Sequence, residues 1–285
     1  MDLFRQLIQP REIKKQTLFI KKELTLIKKN NPNYCISILG CGWLGLPLAT
    51  RLVQLGNQVK GSTTSPQKME VIKSAGIIPY LIKLTEPEPR FSDFLNADIL
   101  IITIPLKQIN PFDNLIKQLP PTIKVIYTSS TDVYLPSAEP INEKGALDMG
   151  HSLLMIEQII QNASNPSTII RLAGLFDQRR HPGRWFTNKL LTNPDNPVNL
   201  IHLYDCIGII EKIITHQVWE EVFNACADEH PIRKDFYSRA SQLIGHPPPQ
   251  INKESSSNKI ISNNLVKEKL NYSFLVPLNR FENHI

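Results

Sequence analysis

The residues best suited to chemistry in this 285-residue chain lie in one short run, Ile36-Ser37-Ile38-Leu39-Gly40-Cys41-Gly42-Trp43-Leu44-Gly45. A GxGxxG turn between a strand and a helix can hold a dinucleotide pyrophosphate. Gly40 allows the tight turn, Gly42 lets phosphate approach the backbone, and Gly45 lets the helix pack on the strand. Cys41, Trp43 and Leu44 complete the run, whose free N–H groups at the helix start favour an anion. A glycine turn without a ligand is the plainer alternative.

A turn that prefers NAD places Asp or Glu about 20 residues further on, where it holds the ribose hydroxyls. This sequence has Gly61-Ser62-Thr63-Thr64-Ser65 there, with Lys68 nearby. Hydroxyls and a lysine do not repel a 2′-phosphate, so the reading leans toward NADP over NAD; a loop and helix cap with no preference is the alternative. Thr103-Ile104-Pro105 ends an apolar run and is expected against the nicotinamide side of the cofactor, unless it is an ordinary strand terminus. Gln178 to Arg184 carries three arginines. Arg180 and its neighbours could clamp a substrate phosphate or diphosphate, or form a solvated basic loop.

These groups need strands and helices to position them. Apolar runs predict strands at Cys35 to Leu39, Gln58 to Ser62, Ile77 to Ile82, Asp98 to Ile104, Ile123 to Thr128 and Ser167 to Leu172. Amphipathic stretches predict helices at Leu44 to Leu55, Pro66 to Ala75, near Phe112 to Gln118, and Leu147 to Asn162. The helix at Pro66 has Ser65 as N-cap and Gly76 just past its end. Further on come a strand near Val198 to Leu203, a helix from Asp205 to Thr215, a strand at Glu221 to Ala225, and helices at Ile232 to Gly245 and Ile261 to Leu270. Such alternation predicts an α/β fold, a doubly wound parallel sheet with ligand at the carboxyl ends of its strands.

The ordered segments GCGWLG at Gly40, ADILIITIPL at Ala97, VIYTSSTDVY at Val125, INE at Ile141, RLAGLF at Arg171, VNLIHLYD at Val198 and VFNACADEHP at Val222 resemble the short-chain dehydrogenase/reductase (SDR) superfamily. The likeness is to its extended and atypical NAD-dependent epimerase/dehydratase-like branch, and it runs from about residue 34 to 275. The resemblance implies a Rossmann fold, a nicotinamide dinucleotide, and a catalytic Ser with a Tyr-x-x-x-Lys pair. In that pair the Lys lowers the Tyr pKa and holds the ribose, while the Tyr moves a proton to or from the substrate oxygen. Ser130 falls at the family's catalytic Ser, with Ser129 beside it expected at the cofactor, and Tyr134 follows four residues later. The Tyr and Lys positions hold Met149 and Leu153, with Glu157 at the family's later Glu. Neither a thioether nor an aliphatic chain is an acid or base, so the standard hydride-transfer mechanism does not carry over. Tyr134 and His151 are the nearby groups able to exchange protons. Asn199, His202 and Asp205 match positions that organise the substrate lobe, with structural hydrogen bonding as the alternative.

The resemblance thus implies an NAD(P)-dependent oxidoreductase or epimerase-like enzyme with an atypical catalytic set, acting on a nucleotide-linked sugar or small carbonyl compound. A catalytically inactive dinucleotide-binding sensor is the alternative. Three parts are expected: an extension over 1–33, a dinucleotide-binding Rossmann domain over 34–175, and a C-terminal substrate lobe over 176–285 that completes the site. A homodimer is an expectation from similar proteins, although no residue pattern demands it.

Charge narrows the partners. The net charge is +6, and residues 1 to 33 hold eight basic side chains against three acids, leaving the other 252 residues near neutral. A nucleic-acid-binding surface spreads its basic residues over the fold, so none is expected here. The extension repeats Ile-Lys-Lys at Ile13, Ile20 and Ile27. This pattern predicts a basic amphipathic helix touching a membrane surface or a partner, or else a solvated extension. No apolar run reaches the roughly 18 residues of a membrane span. Cys35, Cys41, Cys206 and Cys226 show no CxxC spacing, so reduced thiols, no metal site and a cytoplasmic location are expected.

Overall fold

A computed structural model describes residues 33–86, 91–105, 107–252 and 259–284. The amphipathic extension, with its membrane or partner contact, lies outside the described residues.

A seven-stranded sheet forms the centre, in which every described pairing is parallel. Its strands are β1 (Cys35–Leu39), β2 (Gln58–Thr63), β3 (Ile78–Leu81), β4 (Ile99–Ile102), β5 (Lys124–Ser130), β6 (Ser167–Leu172) and β9 (Val222–Ala225), in the order β3-β2-β1-β4-β5-β6-β9. Between β6 and β9, strands β7 (Gly174–Phe176) and β8 (Leu200–His202) pair in a small separate sheet. The predicted doubly wound parallel sheet is therefore present.

Side-chain alternation explains why both faces are covered. Ile36, Ile38, Ile99 and Ile101 enter one core with Leu48 and Leu52 of α1 (Gly45–Gln54) and Ile209 and Ile213 of α6 (Leu203–His216). Leu39, Leu100, Ile102, Val125 and Tyr127 enter a second core on the opposite face. There they meet Phe94 of α3 (Ser92–Leu95), Phe112 and Leu115 of α4 (Ile109–Ile116), and Ile156 and Ile160 of α5 (Ser152–Gln161). A third core joins Phe176 and Leu200 to Phe236 and Tyr237 of α7 (Arg233–Leu243) and to Phe281. Thus α6 and β9 lie beyond residue 176, yet they complete the main sheet.

Several boundaries shift, each for a local reason. The helix expected from Pro66 is a 3-10 turn (Pro66–Lys68) running into α2 (Met69–Ser74). Ser65 occupies the cap position without a side-chain cap bond, and Gly76 ends the unit at φ +77°. The helix expected from Leu147 begins at Ser152 instead. Leu147 is held in an antiparallel bridge to Tyr134, and the Asp148 side chain accepts from the Gly150 N–H in a turn of its own. Met149 therefore stands outside the helix. Ile261 is likewise drawn into a bridge with Ile141, so α8 spans only Asn264–Leu270.

Strand order reverses between β1 and β4, which opens a crevice at their carboxyl ends. The glycine run leaves β1 at that point.

Candidate dinucleotide site

The turn is pinned from both sides. The Ser62 hydroxyl at the end of β2 accepts from the Gly40 N–H at 2.9 Å, and the Ser62 carbonyl accepts from the Cys41 N–H at 2.7 Å. From the end of β4, the Thr103 hydroxyl donates to the Gly40 carbonyl at 2.7 Å. Gly40 has φ +102°, a conformation that favours glycine, and a Cβ there would lie 2.4 Å from Ile104 Cγ2. A Cβ on Gly45 would lie 2.0 Å from the Gly40 carbonyl oxygen. These two glycines serve the turn and the helix contact. Gly42 differs: a Cβ there meets nothing within 4 Å, so its missing side chain leaves open space beside the backbone. The N–H groups of Trp43 and Leu44, at the start of α1, find no acceptor among the described residues.

An open cleft of about 430 Å³ adjoins the turn, lined by Gly40, Cys41 and Gly42, by Ser62, Thr63, Thr64 and Lys68, and by Thr103, Ile104 and Pro105. Three separate sequence segments thus converge on one cleft. The sequence reading missed the wall formed after β3, where Ile82, Lys83, Leu84 and Thr85 line the same cleft. No motif marks them; only the placement of β3 beside β2 does. Among the described residues no acidic side chain lines the cleft.

The hydroxyl cluster contributes less than its composition suggests. Ser62 is buried and spent on the turn, and Thr63 is buried with its Oγ1 accepting from the Ser65 N–H. The Ser65 hydroxyl pairs with Gln67. Thr64 and Lys68 are the exposed members that face the cleft. Cys41 is buried, and burial pushes its thiol up to about 12, which keeps it protonated and unreactive.

The expected catalytic groups are placed differently. Ser130 is half-buried at the end of β5, and its Oγ accepts from the Asp132 N–H. Lys259 reaches this strand end unannounced by any motif, donating to the Thr131 carbonyl at 3.1 Å. Ser129, expected at the cofactor, is buried and donates to Glu157 instead. Tyr134 is also buried: its hydroxyl donates to Asn224 Oδ1 and accepts from Arg171 Nη1, both at 2.7 Å. Burial raises its pKa despite Arg171 beside it. With its hydroxyl both donating and accepting, Tyr134 links β9 to Arg171. Met149 is 67% exposed, Leu153 packs against both sheet cores, and the His151 Nδ1 caps α5 by accepting from the Leu153 N–H.

The substrate-side residues are likewise structural where the structure shows their bonds. Asn199 clamps the chain at 259–261, donating to the Lys259 carbonyl and accepting from the Ile261 N–H, each at 2.9 Å. His202 is 2% exposed and caps α6 by accepting from the Tyr204 N–H. Asp205 is fully buried and accepts from the Tyr272 hydroxyl and from the Leu275 and Val276 N–H groups. Arg180 alone stays exposed, its guanidinium 4.7 Å from the Trp43 ring centre.

A fold search places this architecture among SDR proteins. A short-chain dehydrogenase/reductase superfamily protein from Agrobacterium tumefaciens, solved with bound NAD, matches with a TM-score of 0.73 at 14% identity, covering 87% of this chain and 95% of that one. UDP-glucuronic acid 4-epimerase from Bacillus cereus, in complex with NAD, matches with a TM-score of 0.69 at 18% identity over 86% of this chain and 94% of its own. The fold is therefore the Rossmann-like α/β fold that these SDR structures share. No family model matches the chain. Protein YeeZ of Escherichia coli K12 is 33% identical over 264 residues, spanning 85% of this chain and 96% of YeeZ, and the chain belongs to the YeeZ family.

Two outcomes test this assignment of structural roles. Glu157 and Arg171 form a buried bidentate pair, so Glu157→Gln or Arg171→Met alone should cost about 3–5 kcal/mol in urea unfolding, and the double Glu157→Leu/Arg171→Met far less than their sum. Burial, helped by His284, pushes the His202 imidazole from 6.5 down to about 4. Between those pH values the unfolded chain binds a proton that the folded one refuses, so His202 makes stability fall as pH drops from 6.5 toward 4, by up to about 1.4 kcal/mol per pH unit. His202→Asn keeps a capping side chain and should flatten that slope in unfolding curves collected across this range.

Proposed function

We propose that the protein binds a nicotinamide dinucleotide along the carboxyl ends of β1 to β4, with its pyrophosphate at the glycine turn. The observation that carries this reading is the open space at Gly42 beside the unpaired N–H groups of Trp43 and Leu44. Glycine contributes to no packing there, so its use is explained by something that must approach the backbone. The NAD named in the Agrobacterium and Bacillus structures supports the same class of ligand. The adenosine end takes the cleft walled by Thr64, Lys68 and Leu84. With two lysines and, among the described residues, no carboxylate lining that cleft, a 2′-phosphate is accepted, and NADP is preferred over NAD.

When bound, the dinucleotide supplies hydride-transfer capacity. The chain's own residues supply binding through backbone N–H groups, orientation by Ile104 and Pro105 at the end of β4, and a hydroxyl at Ser130. The Tyr and Lys of the SDR proton relay are absent at 149 and 153. The function proposed is therefore that of an NAD(P)-binding, epimerase-like oxidoreductase with an atypical site, on a nucleotide-sugar or small carbonyl substrate. The locked Tyr134 hydroxyl favours a second reading, a dinucleotide sensor without turnover.

Calorimetric titration with NADPH and NADH tests the binding. Wild type is expected to bind NADPH at least as tightly as NADH. Gly42→Ala should fold normally and lose tenfold or more in affinity. A failure of wild type to bind either dinucleotide, or undiminished binding by Gly42→Ala, would contradict the reading. Turnover with carbonyl and nucleotide-sugar panels then separates enzyme from sensor.

A further inference from the structure

The loop after β7 is folded back onto the glycine turn, and that contact has a direct chemical use. Asp177 anchors the loop: its carboxylate accepts from the Arg180 N–H at 2.7 Å and from Arg179 Nε at 3.3 Å. Burial raises the Asp177 pKa, but the nearby Trp43 indole, the Arg180 N–H and Arg179 outweigh it and hold the carboxyl below its ordinary value. Arg179 Nη2 donates to the Trp43 carbonyl at 3.5 Å. Arg180 then places its guanidinium over the Trp43 ring.

Stacking satisfies one face of a guanidinium and leaves its edge donors free. Among the described residues the Arg180 side chain makes no hydrogen bond or ion pair. An exposed cation with unspent donors thus sits against the residue that follows Gly42. The first turn of α1 carries no acidic side chain to neutralise it.

We infer that Arg180 is a ligand of the dinucleotide pyrophosphate, a cation delivered by the second lobe to a turn that otherwise grips phosphate with backbone alone. The inference rests on the proposed dinucleotide binding, and it moves Arg180 from the substrate role expected for its loop to the cofactor. Trp43 is the platform that fixes the guanidinium. Fork-shaped donors on phosphate oxygens add charge-assisted bonds that neither a lysine nor an amide reproduces in full.

The test is calorimetric titration of the full chain with NADPH, NADH and UDP, in wild type, Arg180→Gln, Arg180→Lys and Arg184→Ala, with thermal melts to confirm folding. Arg184 is an exposed arginine on the neighbouring 3-10 turn, so its variant reports the general loss of one positive charge. The expected result is a loss of about tenfold or more in affinity for both dinucleotides in Arg180→Gln, a smaller loss in Arg180→Lys, and near-wild-type affinity in Arg184→Ala. The salt dependence of binding should also become shallower in Arg180→Gln. Equal losses in the two neutralised variants, unchanged binding in Arg180→Gln, or a loss confined to UDP would each overturn the assignment. If wild type binds neither dinucleotide, the proposed function fails along with it, which is distinct from a wild type that binds and an Arg180 variant that binds as well.

Discussion

The buried pair of Glu157 and Arg171 constrains everything at the carboxyl end of β5. Neither side chain has access to water to speak of, so each charge must be met by the protein. Glu157 of α5 takes two N–H edges of Arg171 and the hydroxyl of Ser129. The remaining Arg171 nitrogen goes to the Tyr134 hydroxyl and the Glu143 carbonyl. Tyr134 passes the chain of bonds to Asn224 on β9, whose own N–H is held by the Glu143 carboxylate at 2.9 Å. Five segments distant in sequence are thereby tied to one guanidinium. Ser129 and Tyr134 are consumed in satisfying it, which is why residues flanking Ser130 are unavailable to a substrate.

Much of this fold was legible in the residues. Apolar runs such as Ile99–Ile102 read as strands buried on both faces, and the glycine run between Leu39 and Leu46 located both the first strand and the first helix. The convergence of Gly40, Ser62, Thr64, Lys68 and Thr103 on one cleft followed from strand order alone. Individual bonds were not legible. Ser62 and Thr64 look equivalent in sequence, yet Ser62 is buried with its hydroxyl on the Gly40 N–H, while Thr64, just past the end of β2, stays exposed beside the cleft. The early start expected for α5 failed because Leu147 has a strand partner 13 residues back, a contact that helical periodicity cannot register. Lys83, Leu84 and Thr85 carried no pattern at all and acquired a place only through the neighbouring strand.

Two stretches of chain meet at the turn in an uneven way. Backbone at the end of β1 supplies neutral N–H donors, whereas the loop after β7 supplies Arg179 and Arg180 with Asp177 as their anchor. Of the charge noted at the outset, most belongs to residues 1 to 33. Among the described residues the cations lining the cleft are Lys68 and Lys83, and Arg180 stacks on Trp43 beside the turn.

A turn made of backbone and a relay made of side chains place different demands on a fold. A phosphate cradle made of backbone tolerates drift in side chains, because Gly40, Gly42 and Gly45 act by lacking them. A relay made of side chains has no such tolerance. Leu153 illustrates how completely its position has been reassigned, since it packs against both the Ile36 core and the Leu100 core. An ammonium placed there would need solvation or a carboxylate, and Glu157, one helical turn on, is already fully engaged with Arg171. Met149 meanwhile lies outside α5 and mostly in solvent. Met149 and Leu153 share no helical face, so side chains at these two positions are not held one helical turn apart. At the end of β5 the fold gathers the polar side chains of Ser130, Asp132 and Lys259, with Lys259 Nζ 4.0 Å from the Asp132 carboxylate.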